Sequence, residues 1–436
     1  MTIATIVGFI AMSGSVQAAK GPISDKSSFD IVYEMEVGWN LGNALDVPST
    51  NEEEWGNPRA TKAMVDGVRA KGFKTLRVPV TWGPHIGAGP AYTIDKKWLD
   101  RVEEVVNYGL SNDMYVIMDV HHDDDWIRPS YKEVDASIKK LEKVWRQIAL
   151  RFKPYNERLI FETINEPRLK GSPMEWGGGD AEGRDCVNQL HAAALKQIRS
   201  TGGNNATRQV MIAPYGAAWY AADGFKLPED DENLIVSIHM YNPYDFCMKP
   251  MNQGGRNYLT EDDKWGLYWE LDELCKMWVD KGVPVVIGEW GSMHRSNTAE
   301  REKHAKMYAD ACMKRVIPCV VWDDGNNSTA FGIYNRRACN WWYSTLAQNI
   351  VDGVKQKPVV GLDDVTTTKI VVVPNPATTY ITLNGASDAP YQIRSAAGLL
   401  VLSAESYDGG AIAISSLTPG IYFLTIDGHT MTFIKE

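Results

Sequence analysis

Short apolar runs recur along the first 350 residues, and each is followed by a longer stretch in which apolar positions return every three or four residues. The runs fall at 37–41, 74–80, 115–121, 159–165, 209–214, 234–241, 283–290 and 318–323. They are rich in Val and Ile, and several are nearly continuous in hydrophobicity, as parallel strands covered on both faces must be. The intervening stretches have helical spacing. In "NPRATKAMVDGVRAKG", Pro58 suits a first helical turn, Val65 and Val68 share a face, and Gly72 follows the end. "KKWLDRVEEVVNYGLSND" repeats the scheme with Leu99, Val102, Val105 and Val106. Eight alternations over roughly 320 residues predict an α/β chain folded as a (β/α)8 TIM barrel. A doubly wound open sheet is the alternative, but no Gly-rich dinucleotide loop follows the first run.

The pattern changes near residue 352. "DGVKQKPVVGLDDVTTTK" reads as a linker over 352–368, and 369–436 holds short alternating segments separated by Gly, Pro, Asn and Asp, with no Trp and no Cys. Those features predict a small all-β sandwich. At the other end, residues 3–12 are apolar but too few to span a bilayer, and small residues follow, so 1–18 is expected to be a signal peptide and 19–351 the barrel domain. No other stretch predicts a membrane span.

The net charge of −10 argues against a nucleic-acid partner. The 15 Trp and 19 Tyr suit either core packing or flat platforms for sugar rings. Six cysteines occur without any CxxC pair, so zinc knuckles are not expected, and buried thiols and disulfides stay equally open.

The chemistry lies at the carboxyl ends of the predicted strands, where barrel enzymes collect function. Arg77 ends the second run, His121 and His122 the third, Asn165 and Glu166 the fourth, His239 and Tyr241 the sixth, Glu289 and Trp290 the seventh, and Trp322 the eighth. One such residue would be structural more often than not; six in register point to a site. Two carboxylates that can face each other across a barrel mouth, Glu166 and Glu289, are the equipment for glycoside hydrolysis. Their environments must differ, one protonated and one ionised. Arg77 and the Tyr241 hydroxyl could hold one of them negative. The stretch "DVHHDDDW" at 119–126 also admits a metal site built on His121, His122, the aspartates and His239, but it supplies few ligands at matching strand ends. A non-catalytic sugar-binding barrel would require a missing carboxylate.

The ordered set "GWNLGNALD", "WGNP", "TLRVPVTW", "DVHHD", "FETINEP", "HMYNP", "GEWG" and "VVWDDG" resembles glycoside hydrolase family 5, and most closely its subfamily 4, over about residues 29–350. The resemblance implies Glu166 as acid/base and Glu289 as nucleophile. It implies that Asn165 binds a sugar 2-hydroxyl and that Arg77 and Tyr241 hold the nucleophile. His239 would lie by the acid/base, His121 and His122 would line the sugar site, and Trp322 would form its floor. Asn43 and Trp126 are expected at outer sugar sites, with Trp39, Trp55 and Trp219 as further possibilities that core packing could equally claim. The expected activity is that of a secreted retaining endo-β-1,4-glucanase acting on cellulose, mixed-linkage glucan or xyloglucan. A β-mannanase or xylanase of the same family is the alternative. No metal or organic cofactor is implied, and a monomer is expected. Asp119 stands where Asn is expected in many relatives, and Asp123, Asp124 and Asp125 are expected to form a solvated lip. The tail, with "VPNPATTYITL", "GIYFLTI" and "TFIKE", resembles C-terminal sorting domains of type IX secretion. It implies the secretion machinery as a partner and a surface or extracellular location. A carbohydrate-binding module is the alternative for the tail.

Overall fold

A computed structural model describes residues 19–228, 231–328, 330–358, 370–384, 386, 389–396, 398–426 and 429–436. The predicted signal peptide therefore lies outside the described residues, as does most of the expected linker. Eight parallel strands close a barrel in sequence order. They are β1 (Val37–Asn40), β2 (Thr75–Val78), β3 (Tyr115–Asp119), β4 (Leu159–Glu162), β5 (Val210–Ile212), β6 (Leu234–His239), β7 (Val285–Trp290) and β8 (Cys319–Val321). Every one lies within a predicted run, and all their residues are buried. Burial on both faces explains the continuous hydrophobicity of the sequence there.

The helices are α1 (Ser28–Met35), α2 (Lys62–Lys71), α3 (Lys96–Leu110), α4 (Val134–Phe152), α5 (Ala181–Ser200), the single-turn α6 (Tyr244–Cys247), α7 (Glu261–Met277), α8 (Thr298–Lys314) and α9 (Ser344–Asp352). Three features differ from the sequence reading. Pro58 does not open a helix: α2 starts at Lys62, after an extended Thr61. After β5 the expected helix is replaced, among the described residues, by two 3-10 turns, Tyr215–Ala217 and Trp219–Ala221. Pro214 and the left-handed Gly216 (φ 63°) deny the chain a continuous helix there. The third is α1, held by a Ser27–Asp30 capping box. Its Ile31, Val32 and Met35 pack with Tyr115, Ile117, Ile160, Met211, Ile235, Val286 and Val320 from the strands, plugging the barrel at the end opposite the site.

The expected linker begins in helix, since Gly353–Gln356 continues α9 as a 3-10 turn. Beyond a small hairpin, β9 (Tyr334–Asn335) and β10 (Asn340–Trp341), the tail forms two antiparallel sheets. One has the order β11 (Val371–Val373), β12 (Tyr380–Asn384), β15 (Ile412–Ala413). The other has the order β14 (Leu400–Ala404), β13 (Tyr391–Ser395), β16 (Gly420–Ile426), β17 (His429–Lys435). They share a core that includes Ile381, Ile393, Ile414, Leu424 and Phe433. Ala396, Ile421 and Phe423 join the barrel's own hydrophobic cluster. A cavity of about 620 Å³ lies where tail and barrel meet, lined in part by Phe29, Tyr33, Val279 and Phe423. It is remote from the strand-end carboxylates. All six cysteines are free thiols, five of them buried.

Gly38 marks the tightest interior approach of the first strands. A Cβ there would lie 2.9 Å from Thr75 Cβ and 3.0 Å from Val320 Cγ1, its cross-strand neighbours on both sides. Gly38→Val should destabilise the barrel by about 1–3 kcal/mol through overpacking. Urea titration followed by Trp fluorescence would show it as a lowered midpoint with little change in slope.

Candidate active site

The site is organised around one fully buried cation, Arg77, in β2. Its guanidinium carries five N–H donors, and all five are used. Nε donates to Glu162 Oε2 at 2.7 Å. Nη1 donates to Asn40 Oδ1 at 3.1 Å and to Glu289 Oε1 at 2.8 Å. Nη2 donates to Asp119 Oδ2 at 2.8 Å and to Asn165 Oδ1 at 2.7 Å. Arg77 thus ties together β1, β2, β3, β4 and β7. Burial works against its charge, but Glu162, Asp119 and Glu289 more than offset this and keep it protonated. Asn40, Asp119 and Glu162 were not read from the sequence as site residues. The available signal was a charged or amide group inside an apolar strand, which cannot be buried without a partner. Glu162 is further satisfied by the Ser237 hydroxyl at 2.7 Å.

Two glutamates face one another above this layer. A carboxylate oxygen of Glu166, one of Glu289 and a ring nitrogen of His239 all lie within 4.8 Å of one another. Strand register contributes: the β6–β7 ladder shifts between Ile238 and His239, pairing His239 with Glu289, and a shift of this kind re-aims side chains. Glu289 is nearly sealed and accepts from Arg77 and, at 2.9 Å, from the Tyr241 hydroxyl. Glu166 keeps 17% of its side chain exposed and has His239 Nδ1 at 2.9 Å and Arg168 Nη1 at 3.8 Å. Burial pushes both carboxyls above the ordinary glutamate range; the charges of Arg168 and Arg77 act in the opposite sense on Glu166, and the charge of Arg77 and the Tyr241 hydrogen bond do so on Glu289. Burial also drives the Tyr241 phenol well up and His239 down, so both are neutral around pH 7.

The "HHDDDW" segment forms one wall. His121 Nδ1 lies 2.7 Å from Asp119 Oδ2, so Asp119 braces the imidazole as well as Arg77. Burial lowers His121 strongly and His122 to about 2, leaving both rings uncharged. The Trp322 indole lies parallel to His121 at 5.9 Å. Gly42 makes room for it, since a Cβ there would come within 2.5 Å of Trp322 Cζ2. Trp55, 45% exposed, stands 5.8 Å from His122 at the rim. Asn43 is half-buried on the same side, with left-handed backbone (φ 53°) and its N–H on Asp46 Oδ2.

Several expectations need correction. Asp123 and Asp124 are not a solvated lip. Asp123 is buried and accepts from the backbone N–H groups of Trp82 and Gly83 and from Trp126 Nε1, while Asp124 pairs with Arg168. Only Asp125 of the three is exposed. Trp126 is half-buried, with its indole N–H on Asp123 and Lys140 Nζ 4.4 Å from its ring. Trp39 is core, with its Nε1 on Asp323. A second cluster of potential metal ligands, Asp46, His121 and His122, sits in this wall. Both Asp46 oxygens already accept backbone N–H groups, from Asn43 and Ala44, and His121 Nδ1 is engaged by Asp119.

Paired carboxylates at the carboxyl ends of barrel strands define a site of the glycoside hydrolase class. Comparison with known proteins agrees. The cellulase model of glycosyl hydrolase family 5 matches residues 37–328, and a secretion system C-terminal sorting domain matches residues 371–436. Endoglucanase A of Clostridium longisporum is 42% identical over 81% of this chain and 72% of its own length. The solved structure of ZgEngAGH5_4 in complex with a cellotriose superposes with a TM-score of 0.74 and 46% identity over 76% of this chain and 100% of that one. A GH5-4 broad specificity endoglucanase from Clostridium acetobutylicum gives a TM-score of 0.73 and 46% identity over 75% of this chain and 100% of that one. The chain belongs to glycosyl hydrolase family 5. It is a glycoside hydrolase that carries a C-terminal sorting domain, and its place is extracellular or at the cell surface. No helix among the described residues is long and apolar enough to cross a membrane.

Removing the central cation would leave three buried carboxylates uncompensated. Arg77→Met should cost about 3–5 kcal/mol of stability. Arg77→Lys keeps the charge but cannot supply five directed donors, and should fall between Met and wild type. Thermal and urea unfolding of the three proteins would establish the order.

Proposed function

We propose that this enzyme is a retaining endo-β-1,4-glucanase that cleaves β-glucans such as cellulose, mixed-linkage glucan and xyloglucan by double displacement. The observation that carries the reading is the approach of Glu166 and Glu289 carboxylate oxygens to within 4.8 Å. Retaining enzymes hold their carboxyl groups about 5–5.5 Å apart, whereas inverting ones leave about 6.5–9.5 Å for a water. The division of labour follows from the hydrogen bonds. Glu289 accepts two from neutral or cationic donors and is the better anion, suited to attack the anomeric carbon. Glu166 has no such pair of donors and retains the proton that the leaving sugar oxygen needs. Once the aglycone has left, Glu166 is a carboxylate and takes a proton from the water that releases the sugar from Glu289.

Substrate contacts follow from the same bonds. Arg77 engages Asn165 Oδ1, which turns the Asn165 amide donors toward the cleft and a sugar 2-hydroxyl. His121, bound to Asp119 through Nδ1, offers Nε2 as an acceptor for a sugar hydroxyl. His122 and Asn43 line the same side, and Trp322 supplies an apolar floor for the ring. The likeness to relatives described as endoglucanases, one solved with a cellotriose, supports a β-glucan substrate. We further propose that residues 1–18 are a signal peptide and that the type IX secretion machinery recognises residues 369–436 and removes them on delivery. Mass spectrometry of the exported protein would find a C-terminus near the 352–368 segment.

The reaction itself is tested by NMR of the first product formed from mixed-linkage glucan, which should be the β-anomer. Glu166→Gln and Glu289→Gln should each lower kcat on β-glucan by about 10²–10⁴-fold or more. Near-native turnover by either variant would overturn the assignment. Tyr241→Phe removes a donor to the ionised form of Glu289 and so raises that carboxyl further. The acid limb of kcat/KM should move to higher pH while the alkaline limb, set by Glu166, stays in place.

A further inference from the structure

Two tryptophans of α7 are left in water. Trp265 is 65% exposed and Trp269 55% exposed, and their i,i+4 spacing puts both indoles on one helix face. The end of α7 that carries them begins at the barrel mouth, because each outer helix starts where its strand ends. The described residues of the tail domain do not cover them. It packs at the other end of the same helix, where Gly420 meets the Asp280 carbonyl so closely that a Cβ has no room.

Trp269, the member of the pair nearer the barrel, is linked to the catalytic cleft through ring contacts and hydrogen bonds to main-chain carbonyls. Trp269 meets Trp219 edge-on at 5.6 Å, and Trp219 meets Tyr220 at 6.0 Å. The Tyr220 hydroxyl donates to the Trp176 carbonyl at 3.0 Å. Arg168 lies 4.3 Å above the Trp176 ring and donates to the Glu166 carbonyl at 3.0 Å. The path therefore starts beside Glu166 and runs outward over the loops after β4 and β5 to α7. It leaves on the side of the residue that protonates the departing sugar. The charges around the indoles are mixed, with Glu261, Asp262 and Lys264 all exposed, so the patch selects for no net charge. A neutral chain with apolar ring faces fits it.

We propose that Trp265 and Trp269 form an outer platform that holds the β-glucan chain beyond the cleft, on the leaving-group side. This rests on the β-glucan reading above. The platform adds affinity for long chains and is out of reach of short ones.

The test is affinity electrophoresis of the full chain in gels containing xyloglucan or mixed-linkage glucan. It uses a Glu289→Gln background so that the polymer is not cut. Trp265→Ala/Trp269→Ala should weaken retardation roughly tenfold, a loss of about 1.4 kcal/mol. Trp265→Tyr/Trp269→Tyr, which keeps flat rings, should restore most of it. Tyr131→Ala, an exposed aromatic elsewhere, should leave retardation unchanged, and thermal melting would confirm that each variant is folded. Equal retardation of the Ala and parent proteins would overturn the platform. So would a change in oligomeric state on gel filtration with retardation intact, which would make the patch a contact between copies. If the enzyme without any substitution cleaves no β-glucan, the proposed function fails; if it cleaves β-glucan and only the Ala variant is unaltered, the platform alone fails.

Discussion

One guanidinium with no spare donor governs this barrel mouth. Arg77 gives each of its five N–H groups to a different residue, drawn from four other strands or the turns beside them. Any displacement of its carboxylate or amide partners would break a charge-assisted bond in a medium with little water to replace it. The cluster holds one cation against three carboxylates, an arrangement that favours geometry over stability. Through Asp119 the same arginine sets the His121 ring, and through Asn165 it sets an amide facing the cleft. Rigid supporting contacts of this kind are what position reacting groups to a fraction of an ångström.

Above that layer the two glutamates differ less in burial than in partners. Both are pushed upward by loss of water, so neither would be reliably ionised by its environment alone. The distinction comes from directed donors: Arg77 and Tyr241 point at Glu289, while Glu166 meets a neutral imidazole. The wall across the cleft combines two uncharged imidazoles with the Trp322 indole, which lies in the space that Gly42 leaves.

Much of this was legible in the chain because it depends on periodicity and on strand-end position. Doubly covered strands leave continuous apolar runs, and all eight runs became strands. Arg77, Glu166, His239, Tyr241 and Glu289 stood out because polar groups ended those runs. What stayed hidden depends on contacts made in three dimensions. Glu162 and Asn40 read as incidental polar residues until Arg77 is seen between them. Asp123 and Asp124 looked like a solvated charge run, yet the fold turns them inward onto backbone N–H groups and Arg168. Trp126, by the same folding, is half-buried with its indole N–H on Asp123. The better-exposed indoles, on α7, carried no motif at all. The missing helix after β5 followed from Pro214 and Gly216, whose local effect outweighed the regular alternation.

The central claim is that Glu289 bonds covalently to the sugar in the course of the reaction. It is tested most directly by incubating the enzyme with an activated 2-deoxy-2-fluoro-β-cellobioside, which slows release of the glycosyl-enzyme, and mapping the modified peptide by mass spectrometry. Double displacement predicts one added 2-deoxy-2-fluorocellobiosyl unit on the peptide containing Glu289. A label on any other residue, or inactivation without a covalent adduct, would contradict it.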